Sequence, residues 1–577
     1  MYVLGLNIGH NATACILSSG KVIGCISEER LSRIKNHSGI PFSAIKSLLS
    51  EEKISLSDID MIVVDDAYLV NKSTTFVEDF QKSYLKKTFL RKILSKINNK
   101  CPSVYKYYFC FVNPIKKVAR RRKIIEALSS ELGVSKKKIN VIDHHEAHAL
   151  SASFNLDQEK RTLVLTLDGE GSGTCASVNI FENSNLKTIS RTWKGASLGY
   201  FYSLVTLVLG MKPLQDEFKV MGLASYSNLN SYFGVYQTLS RLVKVESSLE
   251  FSSPCDLSFA DEIIFKATKF QKFDNIAGAA QKVLEERVCE WINLAMSQTN
   301  IKDIALSGGV FMNIKLVKAI GQMKSVNSIF VVPSSGDESN AIGSAFYGHK
   351  MLCKDKMLSA EIKPLRDLYL GPSYDSEIKN FIKENKLDVK YVVKKPNNLH
   401  HEVAMLLANG EIVARFSGRS EWGARSLGNR SILANPAIST HPALINKLIK
   451  SRDFWMPFSP SILDSFEKAY LKDTGKIISR QYMVATFDVT ELGKEDLLAT
   501  LHAYDLTTRP HIVTAVSNPD YHDTIKQFCR ITGIGAVLNT SFNIHGEPNV
   551  LTPKDAISVF ERTHLKHLVL GEYLIKK

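Results

Sequence analysis

The stretch VLGLNIGHNATACIL at residues 3–17 contains an apolar run, a turn of glycine and polar residues, and a second apolar run. A related stretch, TLVLTLDGEGSGTCASVNIF, recurs at residues 162–181, and in both places a third strand is predicted after a polar bend. Such turns let backbone N–H groups face a ligand. The duplicated unit leads into alternating strands and helices, which predicts a two-lobed α/β architecture with a cleft between the lobes.

The rest of the chain extends this pattern. Residues 303–320 and 328–348 each predict a strand, a glycine or polar turn and a helix. The actin-like superfold is built from such repeated, ribonuclease-H-like units, so the expected fold class is α/β with an actin-like N-terminal domain. Residues 354–367 are charged and lack apolar periodicity, which indicates two domains at 1–362 and 363–577. The second domain also alternates predicted helices and strands and is therefore α/β.

The 577 residues include 73 Lys and Arg against 58 Asp and Glu, a formal charge of +15. The apolar share of 44% and the charged share of 23% exclude a disordered, collagen-like or coiled-coil chain. Fourteen basic and no acidic residues lie between Lys82 and Lys123, which leaves 59 bases against 58 acids elsewhere. The excess belongs to one predicted insertion at about residues 67–135, and it does not indicate that the whole protein binds nucleic acid.

Nine scattered cysteines without a CxxC pair are typical of reduced thiols, not of a disulfide framework or a zinc ribbon. The N-terminal MYVLGLNIG lacks a basic region, and Asn7 and Gly9 interrupt its apolar run, so it predicts a buried strand and not a signal peptide. No apolar stretch approaches the ~20 residues that a membrane span needs. These features predict a soluble, cytoplasmic protein.

The motif DHHEAHA places His144 and His148 four residues apart, so that on a helix both imidazoles lie on one face and can share a divalent metal. Its order differs from HExxH, which argues against a zinc protease. Asp168 and Asp337 each follow a predicted strand beside a glycine and are the natural carboxylate ligands. A mixed nitrogen and oxygen set suits iron(II), manganese or zinc better than calcium. Alternatively, the two histidines cap a helix or fill the core.

Two further stretches predict anion binding. SGGVFMN at 307–313 is a glycine turn that enters a helix and can admit phosphate or adenosine close to the backbone, although a purely structural turn explains the same residues. RFSGRSEWGARSLGNRS at 415–431 holds four arginines among glycines and serines, which together make an oxyanion cradle. Lys450, Arg509 and LNTSFN at 538–543 complete a predicted phosphate or adenylate pocket, for which a solvated basic loop is the alternative.

Ten motifs together resemble the carbamoyltransferases of the nodulation-protein-U, cephamycin and tobramycin type. They run in family order from residue 3 to residue 553, and residues 67–135 and 228–260 lie outside them. The motifs are GHNATA, SEERLSRIK, HHEAHA, TLDGEGSGT, SLGYFYSLVT, FKVMGLASY, LSGGVFMN, GDESNAIGSA, GRSEWGARSLGNRS and LNTSFNIHGEPNVLTP. Each motif alone is modest, but ten in order are highly specific.

The resemblance implies a two-domain enzyme with an actin-like N-terminal domain, similar to a subunit of tRNA threonylcarbamoylation, and a YrdC-like C-terminal domain. In this family the C-terminal domain joins carbamoyl phosphate and ATP into carbamoyl adenylate. The N-terminal domain then transfers the carbamoyl group to an acceptor hydroxyl. The implied partners are carbamoyl phosphate, ATP and a hydroxyl-bearing natural product or saccharide, while a homodimer is left open.

The resemblance also implies site residues. Its metal, iron(II) with manganese or magnesium as alternatives, is ligated by positions that match His144, His148, Asp168 and Asp337. Gly308, Gly309 and Asn313 match adenylate contacts, and the matching phosphate- and carbamoyl-binding positions are Arg425, Lys450, Arg509, Asn539 and Ser541. His10 is expected to be the general base, because the ordinary histidine pKa of about 6.5 suits that role. Lys35, in the EERxxRIK motif, is expected to hold the acceptor or the leaving AMP.

Two positions depart from the family pattern. Asn11 follows His10 where many members have aspartate, so an acidic partner for His10 is missing. Met456 stands where the tobramycin-type pattern has arginine, which weakens phosphate holding unless Arg452 or Arg430 substitutes.

Two other functions fit parts of the pattern. The two folds and the basic insertion also suit a tRNA threonylcarbamoylation-type enzyme, but the fused domain order argues against it, and no nucleic acid is expected as a partner. A non-catalytic actin-like ATP-binding scaffold is disfavoured by the complete metal and arginine sets. The cations of residues 82–123 are expected to recruit an anionic acceptor or to contact an anionic membrane, with a solvated basic helix pair as the alternative.

Overall fold

The computed structural model describes residues 1–66, 102–153, 155–450, 453–473 and 475–577, and for residues 102–115 it describes the backbone only. The described chain folds into two compact units. Unit 1 comprises Met1–Glu28, Asn36–Leu365 and Lys476–Ile478, and unit 2 comprises Glu29–Lys35, Arg366–Gly475 and Ser479–Lys577. The domain limits 1–362 and 363–577 stay a prediction, and residues 67–101 of the basic insertion lie outside the described residues.

The strands of the described residues are β1 (Tyr2–Asn7), β2 (Thr13–Ser18), β3 (Lys21–Ser27), β4 (Met61–Asp65), β5 (Ile139–Ile142), β6 (Thr162–Gly171), β7 (Thr174–Glu182), β8 (Asn185–Trp193), β9 (Lys244–Val245), β10 (Phe251–Ser252), β11 (Asp303–Ser307), β12 (Ser328–Val331), β13 (Val392–Lys394), β14 (Val413–Phe416), β15 (Arg430–Ala434), β16 (Ser459–Leu463), β17 (His511–Val513), β18 (Ala536–Ser541), β19 (His567–Leu570) and β20 (Tyr573–Lys576).

The α-helices are α1 (Glu29–Ser32), α2 (Phe42–Glu51), α3 (Pro102–Leu132), α4 (His144–Ser153), α5 (Leu198–Val208), α6 (Glu217–Ala224), α7 (Leu229–Ser240), α8 (Asp261–Thr268), α9 (Phe273–Thr299), α10 (Ile314–Gly321), α11 (Asn340–Asp355), α12 (Ile378–Glu384), α13 (Leu387–Lys390), α14 (Leu399–Ala408), α15 (His441–Ile445), α16 (Glu467–Tyr470), α17 (Glu491–Asp496), α18 (Pro519–Thr532) and α19 (Pro553–Arg562).

Unit 1 contains two five-stranded sheets with the same topology. The first has the order β3-β2-β1-β4-β5 and the second the order β8-β7-β6-β11-β12. In each sheet three consecutive strands pair antiparallel, and two later strands join in parallel beside the first of them. The repeated order shows the duplication that the sequence predicted and confirms the actin-like α/β fold class.

Helix α11 packs against strand β1 and helix α4 through two glycines. A Cβ atom on Gly5 would overlap the backbone carbonyl oxygen of Ala341, and one on Gly343 would overlap that of Ala147. Because these backbones lie too close for any larger residue, glycine is required at both positions. The packing holds α4, which carries the HHEAHA motif, beside the start of α11.

Unit 2 contains an eight-stranded sheet in the order β13-β20-β19-β14-β15-β18-β16-β17. Side chains alternate between its two faces, so Ala414 and Phe416 of β14 join one apolar layer and Val413 joins the other. Helices α14 and α18 cover the second face, through residues such as Val403 and Tyr521. The α/β class expected for the second part of the chain is therefore confirmed.

The cysteines of the described residues form no disulfide bond. Seven cysteines of the described residues are free, and five of these are buried. Across the described ranges, no helix combines the length and the apolar composition needed to cross a bilayer.

We expect Gly343→Ala to lower the free energy of unfolding by about 1–3 kcal/mol, because the added methyl group must displace the backbone of α4. The matched control is Gly234→Ala in α7, where the space around the Cβ position is open. Since alanine is the better helix former, this control should raise the free energy of unfolding by up to about 1 kcal/mol. Urea unfolding followed by circular dichroism tests both, and equal effects would contradict the close approach.

Candidate functional site

Four side chains of the kind that bind metals converge in unit 1. One nitrogen or oxygen atom from each of His144, His148, Asp168 and Asp337 lies within 4.8 Å of the others. Both histidines are buried, and both aspartates are partly buried. The structure thus brings together all four residues that the sequence proposed as metal ligands.

The geometry of this four-residue cluster directs the nitrogens at the carboxylates. The Nε2 atom of His144 lies 3.3 Å from Asp168 and 3.6 Å from Asp337. The Nε2 atom of His148 lies 3.8 and 3.6 Å from the same two residues. The two imidazoles lie one turn apart on α4, Asp168 lies in β6, and Asp337 begins the short turn before α11. The histidine nitrogens therefore face carboxylates, not the helix ends.

Asp65 orients the first imidazole. The Nδ1 atom of His144 lies 2.9 Å from the Asp65 carboxylate, which also accepts a hydrogen bond from the side-chain amide of Asn340 at 3.3 Å. A carboxylate at Nδ1 fixes the ring so that Nε2 is available as a ligand. Asp65 is fully buried at the end of β4, and burial raises its pKa. The sequence analysis missed it; the signal was the acidic pair that follows the buried strand MIVV.

The second imidazole is held differently. The Nδ1 atom of His148 lies 3.3 Å from the hydroxyl groups of both Ser307 and Ser339. Its Nε2 atom is buried and has no hydrogen-bond partner within the part of the chain that the structure describes. A buried ring nitrogen that points between two carboxylates fits a divalent cation, and two nitrogens with two oxygens form the mixed set that the sequence analysis assigned to iron(II), manganese or zinc.

Charges couple the members of the cluster. Burial lowers the pKa of His144, but Asp337, Asp168 and Asp65 together raise it well above the usual value. Burial likewise lowers the pKa of His148, and the two cluster aspartates raise it above the usual value. Burial raises the pKa of Asp168, but the two histidines outweigh it and hold that pKa well below the usual range. Attraction between the two histidines and the aspartates thus favours the charged forms of both.

His145, the middle histidine of the HHEAHA motif, is not part of the four-residue cluster. The Nδ1 atom of His145 lies 2.7 Å from the Thr166 hydroxyl, and Nε2 lies 3.0 Å from the carbonyl oxygen of Thr174. Burial, with help from the neighbouring His144 and His148, lowers the pKa of His145 to about 3. His145 is therefore neutral and ties α4 to β6 and β7.

The predicted nucleotide turn touches the cluster. The backbone N–H of Gly309 donates to Asp168 at 3.1 Å, and Gly308 has a φ of 108°, which favours glycine. The side chain of Asn313 caps α10 and exchanges hydrogen bonds with Gln281 at 2.9 and 3.1 Å. The turn therefore contacts the cluster, a placement that the sequence analysis did not predict, and adenylate contact by its residues stays a prediction.

His10 lies half-buried in the turn between β1 and β2. The side-chain amide of Asn7 donates to the carbonyl oxygens of His10 and Asn11 at 2.7 and 3.2 Å, which fixes this turn. Asn11 donates to the carboxylate of Glu338 at 3.3 Å, and burial raises the pKa of Glu338. An aspartate at position 11 would instead place two carboxylates together. The turn is thus linked to the loop that carries Asp337.

Lys35 belongs to the other unit. It is exposed in a turn of the Glu29–Lys35 segment, which belongs to unit 2, whereas the cluster belongs to unit 1. In the same segment, the guanidinium of Arg33 donates to the carbonyl oxygens of Asn549 and Pro548 at 2.7 and 2.8 Å. A contact of Lys35 with acceptor or AMP remains a prediction.

One face of the unit 2 sheet carries a row of polar residues across five strands, because paired residues on neighbouring strands share a face. This polar row consists of Arg415, Ser431, Ser541, Asn539, Ser459, Ser461 and His511. Two of its members, Asn539 and Ser541, are predicted site residues. Burial lowers the pKa of His511 to about 3, so this histidine is neutral.

Two predicted cations attach to the polar row. The buried ammonium of Lys450 donates to the carbonyl and hydroxyl oxygens of Ser541, and to the backbone and side-chain oxygens of Asn543 at 2.9 and 2.7 Å. The guanidinium of Arg509 donates to the hydroxyl of Ser459 at 3.1 and 3.2 Å. Lys450 and Arg509 therefore both contact residues of the polar row, which lies on one face of the sheet.

The residue that follows Arg425, Ser426, contacts the same row. The hydroxyl of Ser426 donates to the side-chain oxygen of Asn539 at 3.3 Å, and the Asn539 amide donates to the Ser426 carbonyl at 3.0 Å. Arg425 itself is half-buried in this loop. Four of the five predicted residues of the C-terminal pocket are therefore in the polar row or bonded to it, and the fifth, Arg425, directly precedes Ser426 in the sequence.

Glu421 organises the arginine-rich loop and was missed by the sequence analysis. One of its carboxylate oxygens accepts backbone hydrogen bonds from Leu427, Asn429 and Arg430 at 2.9, 2.8 and 3.1 Å. It is buried, and the available signal was its position as the only acidic residue of the stretch RFSGRSEWGARSLGNRS.

The missing cation at Met456 has two proposed substitutes. Arg452 lies outside the described residues. Arg430 is fully buried with its guanidinium carbon 3.7 Å from the ring centroid of Phe416, and burial lowers its pKa to about 10. Since Arg430 is adjacent to Ser431 on β15, its side chain lies on the opposite sheet face from the polar row. Arg430 therefore supports the β14–β15 loop, where it donates to the carbonyl oxygen of Ser417.

Two family models match this chain, one in its N-terminal part and one in its C-terminal part. A family model described as the carbamoyltransferase N-terminus matches residues 2–346, and one described as the carbamoyltransferase C-terminus matches residues 404–577. The chain therefore belongs to the carbamoyltransferase family and is an enzyme of that class, as its motifs predicted.

Two relatives and one solved structure illustrate the similarity. Nodulation protein NolNO of Sinorhizobium fredii is 29% identical over 98% of this chain and 79% of its own length. The 3'-hydroxymethylcephem-O-carbamoyltransferase of Streptomyces clavuligerus is 24% identical over 74% of this chain and 79% of its own length. Full-length HypF in the phosphate- and nucleotide-bound form is 12% identical over 62% of this chain and 56% of that chain, with a TM-score of 0.36.

We expect Asp65→Asn to weaken binding of manganese(II) or iron(II) by about 10- to 100-fold, because the amide no longer fixes the His144 ring with a negative charge. Chelator-competition titration of the full chain measures the affinity. The control Asp355→Asn removes an exposed carboxylate of the same unit and should leave it unchanged. Equal metal affinity in Asp65→Asn and the wild type would show that Asp65 does not support the cluster.

Proposed function

We propose that this carbamoyltransferase forms carbamoyl adenylate from carbamoyl phosphate and ATP in unit 2 and transfers the carbamoyl group to an acceptor hydroxyl in unit 1. The observation that carries the proposal is the convergence of the four-residue cluster with the glycine turn, whose Gly309 N–H donates to Asp168. The name of the cephem O-carbamoyltransferase supports a hydroxyl group as acceptor. A natural product or saccharide is the proposed class of acceptor.

The first half-reaction brings anions together. Water hydrolyses carbamoyl phosphate: it adds its oxygen as the bond to the phosphoryl group breaks, and carbamate and phosphate are released. A carbamate oxygen then attacks the α-phosphorus of ATP, and pyrophosphate leaves with the electron pair of the broken bond. Lys450, Arg509 and Arg425 are assigned to offset the negative charge on the phosphates. The oxygens of Ser541 and Asn543 hold the Lys450 ammonium in place, so little reorganisation is needed when charge develops.

The second half-reaction moves one proton. The acceptor oxygen forms a bond to the carbamoyl carbon, the bond to AMP breaks, and the hydroxyl proton passes to a base. We assign His10 as this base, because its turn is held by Asn7 and linked through Asn11 to the loop of Asp337. His144, His148, Asp168 and Asp337 would hold a divalent cation, which would supply Lewis-acid stabilisation of the charge that develops on the carbamoyl group.

We expect Asp168→Asn to reduce carbamoyl transfer by at least about 100-fold, because Asp168 faces both cluster histidines and the Gly309 N–H. Carbamoyl-phosphate-dependent exchange of pyrophosphate into ATP should stay within about twofold of the wild type, since that step is assigned to unit 2. Transfer is measured with labelled carbamoyl phosphate and an extract of the source cells as the supply of acceptor, and exchange is measured with labelled pyrophosphate. The control variant is Asp157→Asn, which changes an exposed aspartate of the same unit. Loss of exchange in folded Asp168→Asn would refute the division of labour.

We expect Lys450→Gln to reduce the pyrophosphate exchange by about 100-fold, because the glutamine amide brings no positive charge to the polar row. The matched control is Lys447→Gln, which removes an exposed lysine from the same π-helical turn, Asn446–Lys450, and should leave exchange unchanged. The rate of pyrophosphate incorporation into ATP is the readout, with circular dichroism to verify folding. An exchange rate in Lys450→Gln equal to that of the control would remove Lys450 from the pocket.

A further inference from the structure

The described end of the basic insertion lies beside the candidate metal centre. Three cations of α3 surround the fully buried carboxylate of Asp66: Arg121 lies 3.1 Å away, Lys117 3.5 Å and Arg120 3.7 Å. Three of the last residues of the lysine- and arginine-rich segment are thus packed against a buried carboxylate of unit 1.

A second buried carboxylate extends the group. Asp143 accepts from Lys117 at 2.6 Å and from Arg191 of β8 at 3.0 Å. The four cations Lys117, Arg120, Arg121 and Arg191 are called the basic cluster below.

Short contacts connect the basic cluster to the metal centre. The second oxygen of Asp66 accepts the backbone N–H of His144 at 3.1 Å and the hydroxyl of Ser172, whose oxygen lies 3.5 Å from Arg120. A Cβ atom on Gly171 would overlap the His144 ring, so this backbone lies directly against the imidazole. One carboxylate and one turn therefore separate the guanidinium groups from a proposed metal ligand.

The side of this assembly that faces water is positive. The four cation side chains are 15–38% exposed, whereas Asp66 and Asp143 are 0% and 6% exposed. Glu146 is the third carboxylate on this side, and Lys350 adds a further positive charge near it. Among the described residues of this surface, cations therefore outnumber carboxylates. Arginine forks suit planar oxyanions such as phosphate, sulfate and carboxylate.

We propose that the basic cluster binds an anionic oxyacid group of the acceptor while a hydroxyl of the same molecule reaches the metal centre. The acceptor class is thus a hydroxylated molecule that carries a phosphate, sulfate or carboxylate close to the hydroxyl that is carbamoylated. This assignment rests on the proposed function, because it names the acceptor of that same site.

The probe is sn-glycerol 3-phosphate, which joins hydroxyl groups to a phosphate, with glycerol as the neutral counterpart. Isothermal titration of the manganese-loaded full chain should show binding of the phosphate ester and none of glycerol. Arg120→Gln on α3 and Arg191→Gln on β8 should each weaken it about tenfold. The matched control is Arg122→Gln, whose 81% exposed side chain pairs with Glu126 on the same helix and should stay within about twofold of the wild type.

Several results would overturn the proposal. These are absent wild-type binding of glycerol 3-phosphate, equal weakening by Arg122→Gln, and unchanged affinity in either folded test variant. Displacement of the probe by AMP would assign the cluster to the adenylate instead. Binding to phosphatidylglycerol vesicles without binding of the soluble ester would assign it to a membrane surface. Wild-type pyrophosphate exchange is measured separately, so its absence would refute the proposed function and not this assignment.

Discussion

The close approach of α4 and α11 is the constraint on which the rest of unit 1 depends. Gly343 on α11 leaves room for the carbonyl oxygen of Ala147, which lies between the two cluster histidines on α4. The turn that begins with Asp337 leads directly into α11. A larger residue at the crossing would separate the imidazoles from this aspartate. Backbone packing at one glycine therefore sets a distance between side chains of the four-residue cluster.

Two adjacent aspartates at the end of β4 divide the support of the metal centre. Asp65 binds the imidazole of His144, and Asp66 binds the backbone N–H of the same residue. Asp66 also binds the basic cluster, so the cations and the candidate metal ligand share one buried carboxylate. Breaking such a pair leaves an uncompensated buried charge, which costs several kcal/mol. The position of α3 and the orientation of α4 are thus coupled.

The fold class and the four residues of the candidate metal site could be predicted from the sequence. The duplicated strand pattern led to the actin-like fold class, and the spacing of HHEAHA together with two strand-end aspartates identified four residues that the structure does bring together. The net charge did not predict where the cations of the basic segment lie. Arg120 and Arg121 belong to the segment that carries the excess, yet they pair with a buried aspartate beside the cluster. Composition gave no indication of this placement.

The sequence by itself determined the α/β class, the strand and helix order, and the types of side chain at both sites, because periodicity and turn chemistry are local properties. Only the tertiary structure decided which distant residues serve them. Asp65 and His144 are 79 positions apart, and Asn11 and Glu338 are 327 apart. No local pattern encodes such pairs, since they form only where packed elements bring two buried polar groups within hydrogen-bond distance and each compensates the desolvation of the other.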